Sequence, residues 1–262
     1  AKKNLGQHFL LDESITDRVA WYAGDLRGFH AIEVGPGPGG LTRSLIRANP
    51  KSLNLLEMDE RCIAALAPIK QLLGDKLTII EGDALKANLL EAVPAPRKII
   101  ANLPYNAGTA MLIRWLEDIY REGQGAYASL TLMFQKEVAE RIAAPHGCKD
   151  YGRLSVLAQW LCHVRYDMEL PPEAFSPPPK VSSAVITLTP REKPLVDVTL
   201  ETLELVIAKA FGQRRKMLRS ALKGLKIPAD ALLEKAGIDG TLRAEQVDLE
   251  TLCNLAKTYE TA

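Results

Sequence analysis

The chain has 262 residues, of which 47% are hydrophobic and 25% charged, and its formal net charge is +1. This length suits a large domain followed by a small one, and the composition is that of a globular protein. No apolar run approaches a membrane span, and the opening stretch AKKNLGQHFLLDES lacks the apolar centre of a signal peptide. The four cysteines form no CxxC pair, which indicates free thiols in a reducing compartment. We therefore expect a cytoplasmic protein without metal.

Apolar runs alternate with helical patterns through most of the chain. The runs predict strands at 31–35, 52–58, 77–81, 98–103 and 129–134. Helices are predicted between them at 41–48, 60–73, 109–120 and 135–144. Such alternation predicts an α/β fold, with a mostly parallel sheet covered on both faces.

The pattern then changes twice. After a predicted helix at 151–163, two strands at 164–170 and 181–189 follow without a helix between them, which predicts an antiparallel pair at one edge. The proline-rich loop PPEAFSPPPK joins them and is expected to keep Phe175 outside regular structure. Beyond Pro190 only helical periodicity remains. We therefore predict domains at 1–190 and 191–262, the second all-helical.

The segment AIEVGPGPGGLT reads as a strand, a glycine-rich turn and a helix. Gly35, Gly37 and Gly40 fit GxGxxG, a pattern that lets the backbone approach a ligand at a helix N-terminus. Glu57 ends the next predicted strand, where a carboxylate can accept hydrogen bonds from ribose hydroxyls. Taken alone, these features fit NAD, FAD, S-adenosylmethionine or a tight turn without any ligand.

Two more acidic residues narrow this choice. Glu33 lies two residues before Gly35, and a carboxylate aimed at the turn would repel a pyrophosphate but tolerate a sulfonium cation. Asp83 ends a further strand, where it can accept from an adenine amino group or simply cap the turn that follows. Together with Glu57 they favour S-adenosylmethionine.

The stretch IIANLPYNAG ends another strand in a stiff corner. Pro104 cannot donate to a sheet ladder and fixes its own φ, so it holds Asn102 and Tyr105 at the strand end. With a methyl donor nearby, the Asn102 oxygen and the carbonyl of Leu103 or Pro104 can hold the hydrogens of an adenine amine. Tyr105 can stack on the base, so catalysis would come from positioning and electrostatics.

A one-sign charge run follows in the predicted helical domain. The segment KAFGQRRKMLRSALKGLK, residues 209–226, has seven basic residues and no acidic one, which favours a polyanion over an ordinary solvated helix face. If the whole segment is one helix, the spacing places four basic residues on one face: Arg215, Arg219, Lys223 and Lys226.

These motifs, in this order, resemble the ribosomal RNA small-subunit adenine N6,N6-dimethyltransferase family, the kasugamycin-sensitivity methyltransferases. The resemblance rests on LGQHFLLD, EVGPGPGGLT, LLEMDE, GDAL, ANLPYN, MFQKEVAERI, YGRLSVLAQ, PPEAFSPPPKVSSAV and FGQRRKMLRSAL. It implies a Rossmann-like methyltransferase sheet and a small helical RNA-binding domain. It also implies an activity in ribosome biogenesis: dimethylation of N6 of two adjacent adenosines near the 3′ end of 16S rRNA by a monomer, with S-adenosylmethionine as donor.

The resemblance also assigns residues. It implies a donor site formed by His8, Leu10, Gly35, Gly37, Glu57, Asp83 and Asn102. The catalytic set is Asn102, Leu103, Pro104, Tyr105 and Phe175, and the RNA-binding set is Arg214, Arg215, Lys216, Arg219 and Lys223. Many relatives have Asn at the position of His8, and the segment around it can also be a docked arm. Phe175 is expected to clamp the flipped base opposite Tyr105, or else to pack on the core beneath its prolines.

Other functions share parts of this pattern. An erythromycin-resistance type of methyltransferase would act on large-subunit rRNA with the same chemistry, and a related RNA-binding assembly factor would have lost catalysis. The intact Asn-Leu-Pro-Tyr corner argues against such a loss. A dehydrogenase fits least, because no proton donor stands in a catalytic context.

Overall fold

The computed structural model describes residues 8–10 and 12–262. The strands, in chain order, are β1 Phe9–Leu10, β2 His30–Val34, β3 Ser52–Glu57, β4 Leu77–Glu81, β5 Arg97–Asn102, β6 Ser129–Gln135, β7 Cys162–Leu170, β8 Phe175–Ser176 and β9 Ser183–Pro190. The helices are α1 Glu13–Tyr22, α2 Gly40–Arg47, α3 Glu60–Leu73, α4 Leu89–Ala92, α5 Gly108–Glu122, α6 Lys136–Ala143, α7 Arg153–Leu161, α8 Leu200–Gly212, α9 Leu218–Ala221, α10 Ala229–Ala236 and α11 Leu249–Glu260.

Seven strands form the main sheet, in the order β4-β3-β2-β5-β6-β9-β7. The strands from β4 to β6 pair in parallel, and β9 runs antiparallel to β6. The predicted α/β class, with its parallel sheet and antiparallel edge, is confirmed. Because parallel strands end at one edge, the carboxyl ends of β2, β3, β4 and β5 all lie on the side where ligands bind in such folds.

The core of this sheet is continuous and apolar. All five residues of β2 are buried, as expected for a parallel strand covered on both faces. Fully buried leucines from α2, β3 and α3 pack on the sheet, among them Leu45, Leu55 and Leu66. Each such side chain contributes about 1.5–3 kcal/mol by leaving water. This packing holds the strand ends, and the side chains they bear, in place.

A second, two-stranded sheet corrects one prediction. Phe175 does not lie outside regular structure, because β8 pairs antiparallel with β1, with Leu10 opposite Phe175. Its side chain is buried, with 4% of its surface exposed, and belongs to the same hydrophobic cluster as Leu10 and Met168. Burial of the apolar ring is favourable, and the pairing of the two-residue strand β8 with β1 places the ring in this core.

The chain divides into two compact units. The first runs to Ala139 and takes up Arg165–Pro190, and the second consists of Glu140–Val164 and Arg191–Ala262. The second unit therefore includes the segment 140–164, which the sequence pattern had placed in the first domain. Within the second unit, the Trp160 indole donates to Val196 O at 2.9 Å, so α7 is tied to the chain that follows Arg191.

The basic stretch is not a single helix, which is the condition on which its shared basic face depends. Helix α8 ends at Gly212, and α9 spans only Leu218–Ala221. At the start of α9, the N–H of Leu218 donates to Leu242 O at 2.7 Å and the N–H of Arg219 to Gly240 O at 3.1 Å. These bonds to a distant loop replace bonds along a helix, so the predicted common helix face does not form.

No helix in the part of the chain that the structure describes is long and apolar enough to cross a membrane. Within the same residues, no cluster of three or more His, Cys, Asp or Glu side chains has the arrangement needed to hold a metal ion.

Candidate active site

A cavity of about 250 Å³ opens at the carboxyl edge of the sheet in the first unit. It is lined by six of the residues predicted to hold the donor, namely His8, Gly35, Gly37, Glu57, Asp83 and Asn102. Three residues of the predicted catalytic corner also line it, Leu103, Pro104 and Tyr105. The structure thus brings together the two predicted sets apart from Leu10 and Phe175.

The glycine turn makes room for the N-terminal segment. Gly37 has φ +56°, and a Cβ atom there would lie 2.6 Å from the Phe9 ring. At Gly40 a Cβ atom would lie 2.1 Å from Leu10 O, a backbone atom that cannot move aside cheaply. Both glycines therefore make room for β1, and Gly37 also lines the cavity, where its backbone is open to a ligand, whereas Gly40 does not line it. Leu10 itself is buried in the core and does not line the cavity, so its assignment as a donor contact is not supported.

Glu57 is fixed by backbone N–H groups. Its Oε2 accepts from Gly37 at 3.1 Å, and its Oε1 accepts from Met58 and Asp59 at 2.9 Å each. The side chain therefore ties the end of β3 to the glycine turn. A carboxylate oxygen has more than one lone pair, so these bonds still leave it able to accept from a ligand hydroxyl.

Asp83 caps the turn that follows β4 and also lines the cavity. Its Oδ1 accepts from the Leu85 N–H at 2.9 Å, which is the turn-capping role. The same residue lines the cavity beside Met58 and Leu85, two partly exposed apolar side chains. An adenine ring would find apolar walls and a carboxylate at its edge here.

Glu33 does not reach the cavity, which corrects the expectation that it faces the ligand. The residue is only 2% exposed, and its Oε2 accepts a hydrogen bond from Thr42 Oγ1 at 2.7 Å. Burial raises the pKa of the Glu33 carboxyl to about 8; the Thr42 hydrogen bond opposes this rise, and the charge of Glu57 adds to it. Glu33 is thus mainly protonated at neutral pH, and it packs inside the protein with its side chain bonded to Thr42 at the start of α2.

We expect Glu33→Gln to flatten the dependence of stability on pH. A carboxyl whose pKa is higher in the folded state stabilises fully below its unfolded value of 4.5, and that contribution is lost as pH rises to about 8. The glutamine variant does not lose this contribution, so its free energy of unfolding rises relative to that of the wild type across this pH range. Urea denaturation at several pH values measures this, with the exposed Glu81→Gln as control. Parallel curves for wild type and Glu33→Gln would contradict the assignment.

The corner after β5 presents two acceptors. The Asn102 amide nitrogen donates to His8 O at 2.9 Å, so the amide oxygen remains as the acceptor of this side chain. Pro104 O accepts from Ala107 at 3.1 Å and from Gly108 at 2.8 Å, and these bonds begin α5. Of the two carbonyls that the sequence left open, Leu103 O is therefore the better partner for an amine.

Tyr105 stands at the wall of the same cavity. Its ring lies 5.4 Å from the His8 ring, at an interplanar angle of 31°. Its hydroxyl lies 2.5 Å from Ser183 Oγ. Burial raises the pKa of the Tyr105 phenol, although the Ser183 hydrogen bond counteracts this, so the phenol stays protonated at neutral pH. Ser183 was missed because no local pattern links it to a residue so far away along the chain.

Phe175 is not brought to this cavity. It is buried in the hydrophobic cluster and is absent from the cavity wall, so the structure shows the core-packing alternative and not a base clamp opposite Tyr105. The physical reason is the pairing of β8 with β1, which turns the ring inward.

The predicted RNA-binding residues lie in the second unit and differ in their surroundings. The Arg214 guanidinium binds Lys149 O, donates to Tyr151 O at 3.0 Å and lies 3.6 Å from the Glu245 carboxylate. Arg214 therefore anchors a loop. All five residues are exposed, namely Arg214, Arg215, Lys216, Arg219 and Lys223. Besides Arg214, Arg219 also has a backbone partner, because its Nε donates to Gly240 O at 3.5 Å.

Comparison with known proteins identifies the family that the sequence motifs resemble. The model of the family "Ribosomal RNA adenine dimethylase" matches residues 1–261. A protein of Paracoccus denitrificans named ribosomal RNA small subunit methyltransferase A is 52% identical over 257 residues, covering 98% of this chain and 90% of its own. One of the same name from Ruegeria pomeroyi is 51% identical, covering 98% of this chain and 91% of its own.

Two solved structures share the fold over nearly all of both chains. A dimethyladenosine transferase from Plasmodium falciparum superposes with a TM-score of 0.81 at 24% identity, covering 95% of this chain and 96% of its own. The 23S rRNA methyltransferase ErmE gives a TM-score of 0.72 at 25% identity, with 96% and 99% covered. The predicted Rossmann-like methyltransferase fold is confirmed, and the full-length family match shows that this chain is a methyltransferase belonging to the ribosomal RNA adenine dimethylase family.

Proposed function

We propose that the protein transfers methyl groups from S-adenosylmethionine to N6 of two adjacent adenosines near the 3′ end of 16S rRNA, within a small ribosomal subunit or its precursor. One observation carries the proposal: Glu57, Asp83 and the Asn102–Tyr105 corner line a single cavity. The names of the curated relatives, which specify the small subunit, support the choice of substrate. Such a substrate places the activity in the cytoplasm.

The donor fits the acidic end of the cavity. S-adenosylmethionine would supply an electrophilic methyl group. Glu57 would accept hydrogen bonds from the ribose hydroxyls, and Asp83 would accept from the adenine amino group, with Met58 and Leu85 against the ring. Gly35 and Gly37 let the backbone come close to the rest of the donor. All of these proposed donor contacts come from residues of a single chain, in keeping with the monomer that the resemblance implies.

The target amine fits the other end. An adenine N6 is a weak nucleophile because its lone pair is delocalised into the ring. The Asn102 oxygen and Leu103 O would accept its two hydrogens and favour a pyramidal nitrogen, and Tyr105 would stack on the base. No side chain needs to be a strong base, because N6 becomes acidic as it is alkylated. The chain's contribution is therefore orientation and local electrostatics.

The exposed basic residues of the second unit would bind the rRNA backbone. Neutralising Arg215, Arg219 and Lys223 together is expected to weaken binding to the small subunit and leave donor affinity unchanged. The log–log dependence of affinity on salt should flatten by roughly 0.7–0.9 for each phosphate that the variant no longer neutralises. Titration at several salt concentrations measures the slope.

A charge-matched control separates local binding from net charge. Lys193, Lys235 and Arg243 are exposed residues of the same unit outside the basic stretch. Changing these three to glutamine removes the same charge and should largely preserve the slope. Equal slopes for wild type and the Arg215, Arg219 and Lys223 variant would mean that this stretch does not hold RNA.

The substrate itself is tested by offering both subunits. Purified unmethylated small and large subunits are incubated with the protein and radiolabelled S-adenosylmethionine, and the label in each rRNA is counted. Label in the small subunit alone supports the proposal. Label in the large subunit alone indicates the activity named for ErmE, and no label in either indicates an RNA-binding protein without catalysis.

A further inference from the structure

A buried serine contacts the Tyr105 hydroxyl. Ser183 is the first residue of β9 and has no exposed surface. Its Cα lies opposite Gln135 at the end of β6, and the neighbouring β5–β6 ladder places Asn102 opposite Met133. Because β9 runs antiparallel to β6, its first residue lies at the edge where β5 and β6 end. The serine hydroxyl therefore stands beside the catalytic corner without lining the cavity.

We propose that Ser183 is a positioning residue for methyl transfer, whose hydrogen bond to the Tyr105 hydroxyl fixes the angle of the phenol ring against which the target base is held. This inference rests on the proposed role of Tyr105 in stacking the base. Ser183 acts only through Tyr105, since the 2.5 Å contact joins the two hydroxyls and the serine itself is enclosed.

The need for such a bond follows from how the ring is held. Tyr105 lies after the strand, in the corner between β5 and α5, so no sheet ladder restrains it. The tilted His8 ring is its aromatic neighbour and restrains one face only loosely. A hydrogen bond at the far end of the ring restrains χ1, because that torsion swings the hydroxyl. It also limits rotation of the ring about its long axis, because a phenol hydroxyl bonds best to a partner near the ring plane, so the ring is oriented before the base arrives.

The hydrogen bond also satisfies the hydroxyl groups of both Ser183 and Tyr105. The Ser183 side chain is sealed from water, and a buried hydroxyl without a partner carries a desolvation cost. The Thr131–Thr187 hydroxyl pair links β6 and β9 further along the same ladder, at 3.1 Å. That pair joins strand to strand, whereas Ser183 reaches out of the sheet to the corner.

The test compares Ser183→Ala, Tyr105→Phe and the double variant. Single-turnover methyl transfer is measured at saturating donor and small subunit, and donor affinity by calorimetry. Each single change removes one partner of the same bond, so each should slow transfer about three- to tenfold, as expected for loss of one neutral hydrogen bond. The double variant should be no slower than the slower single one. Donor affinity should not change.

Ser129→Ala is the matched control. Ser129 is a buried serine at the opposite end of β6, and within the described residues its hydroxyl has no hydrogen-bond partner. The variant should transfer at the wild-type rate. If Ser183→Ala fails to fold, Tyr105→Phe still tests the proposal. It retains the ring and removes only the hydroxyl, so it must show the lower transfer rate by itself.

The outcomes separate this inference from the proposed function. A wild-type protein that transfers no methyl group would contradict the proposed function. A Tyr105→Ala variant that transfers at the wild-type rate would contradict the proposed role of Tyr105. An active wild type with a slow Tyr105→Ala, but with Ser183→Ala or Tyr105→Phe at the wild-type rate, would overturn the inference alone. Losses that multiply in the double variant, or a loss of donor affinity in place of rate, would also overturn it.

Discussion

Asn102→Ala is expected to lower the methyl-transfer rate about 100- to 1000-fold, even with donor and rRNA at saturation. This is the size of effect seen when one preorganised hydrogen-bonding group is removed from an active site. The amide of Asn102 is anchored through its nitrogen to His8 O, so its oxygen has a defined place at the end of β5. Alanine removes the acceptor that orients the amine. It also removes the bond to His8 O, so the effect on donor binding is measured separately from the rate.

The measurement is single-turnover transfer, with donor affinity determined in parallel by calorimetry. Asn54→Ala is a matched control, because Asn54 is also a strand asparagine whose amide donates to a backbone carbonyl, Ala31 O at 3.2 Å. It lies away from the cavity, so its loss should lower stability and spare the rate. An Asn102→Ala enzyme within a few-fold of the wild-type rate would contradict the mechanism.

Glu57→Gln is expected to weaken donor binding by about 1.5–3 kcal/mol, the range for a hydrogen bond to a charged group. This corresponds to roughly a 10- to 150-fold rise in dissociation constant. Alanine at this position would also release Gly37, Met58 and Asp59, whose N–H groups bind the carboxylate. Glutamine retains one acceptor oxygen and so disturbs the turn less.

Calorimetry with S-adenosylmethionine measures the effect. Asp59→Asn is the control, because Asp59 follows Glu57 by two residues, caps α3 by accepting from the Arg61 N–H and does not line the cavity. It should lower stability while preserving donor affinity. Unchanged affinity in Glu57→Gln would remove Glu57 from the donor site.

The parallel sheet was predictable because each of its strands has a sequence pattern that is local along the chain. Each is a short apolar run bounded by turn residues, so β4 and α3 match their predicted bounds, and β5 differs by one residue at each end. The cavity residues were predictable for the same reason. Glu57, Asp83 and Asn102 each stand at or just after the end of a strand, and parallel pairing brings such positions together.

The features that were missed depend on partners distant along the chain. The burial of Phe175 depends on pairing with Leu10, and the break in the basic stretch depends on bonds from Leu218 and Arg219 to the loop at 240–242. The spacing of residues along the chain cannot reveal such bonds, so it left a single helix possible over the whole basic stretch. Glu33 was misplaced because its distance from the turn in sequence does not reveal that its carboxyl points to Thr42.

Mass spectrometry of rRNA fragments tests whether the protein dimethylates two adjacent adenosines of 16S rRNA. Unmethylated small subunits are incubated with the protein and isotopically labelled S-adenosylmethionine, and the rRNA is digested and sequenced by fragment mass. We expect two labelled methyl groups on each of two adjacent adenosines near the 3′ end of 16S rRNA. Small subunits that stay unlabelled, or that carry the label on any other nucleotide, would contradict this expectation.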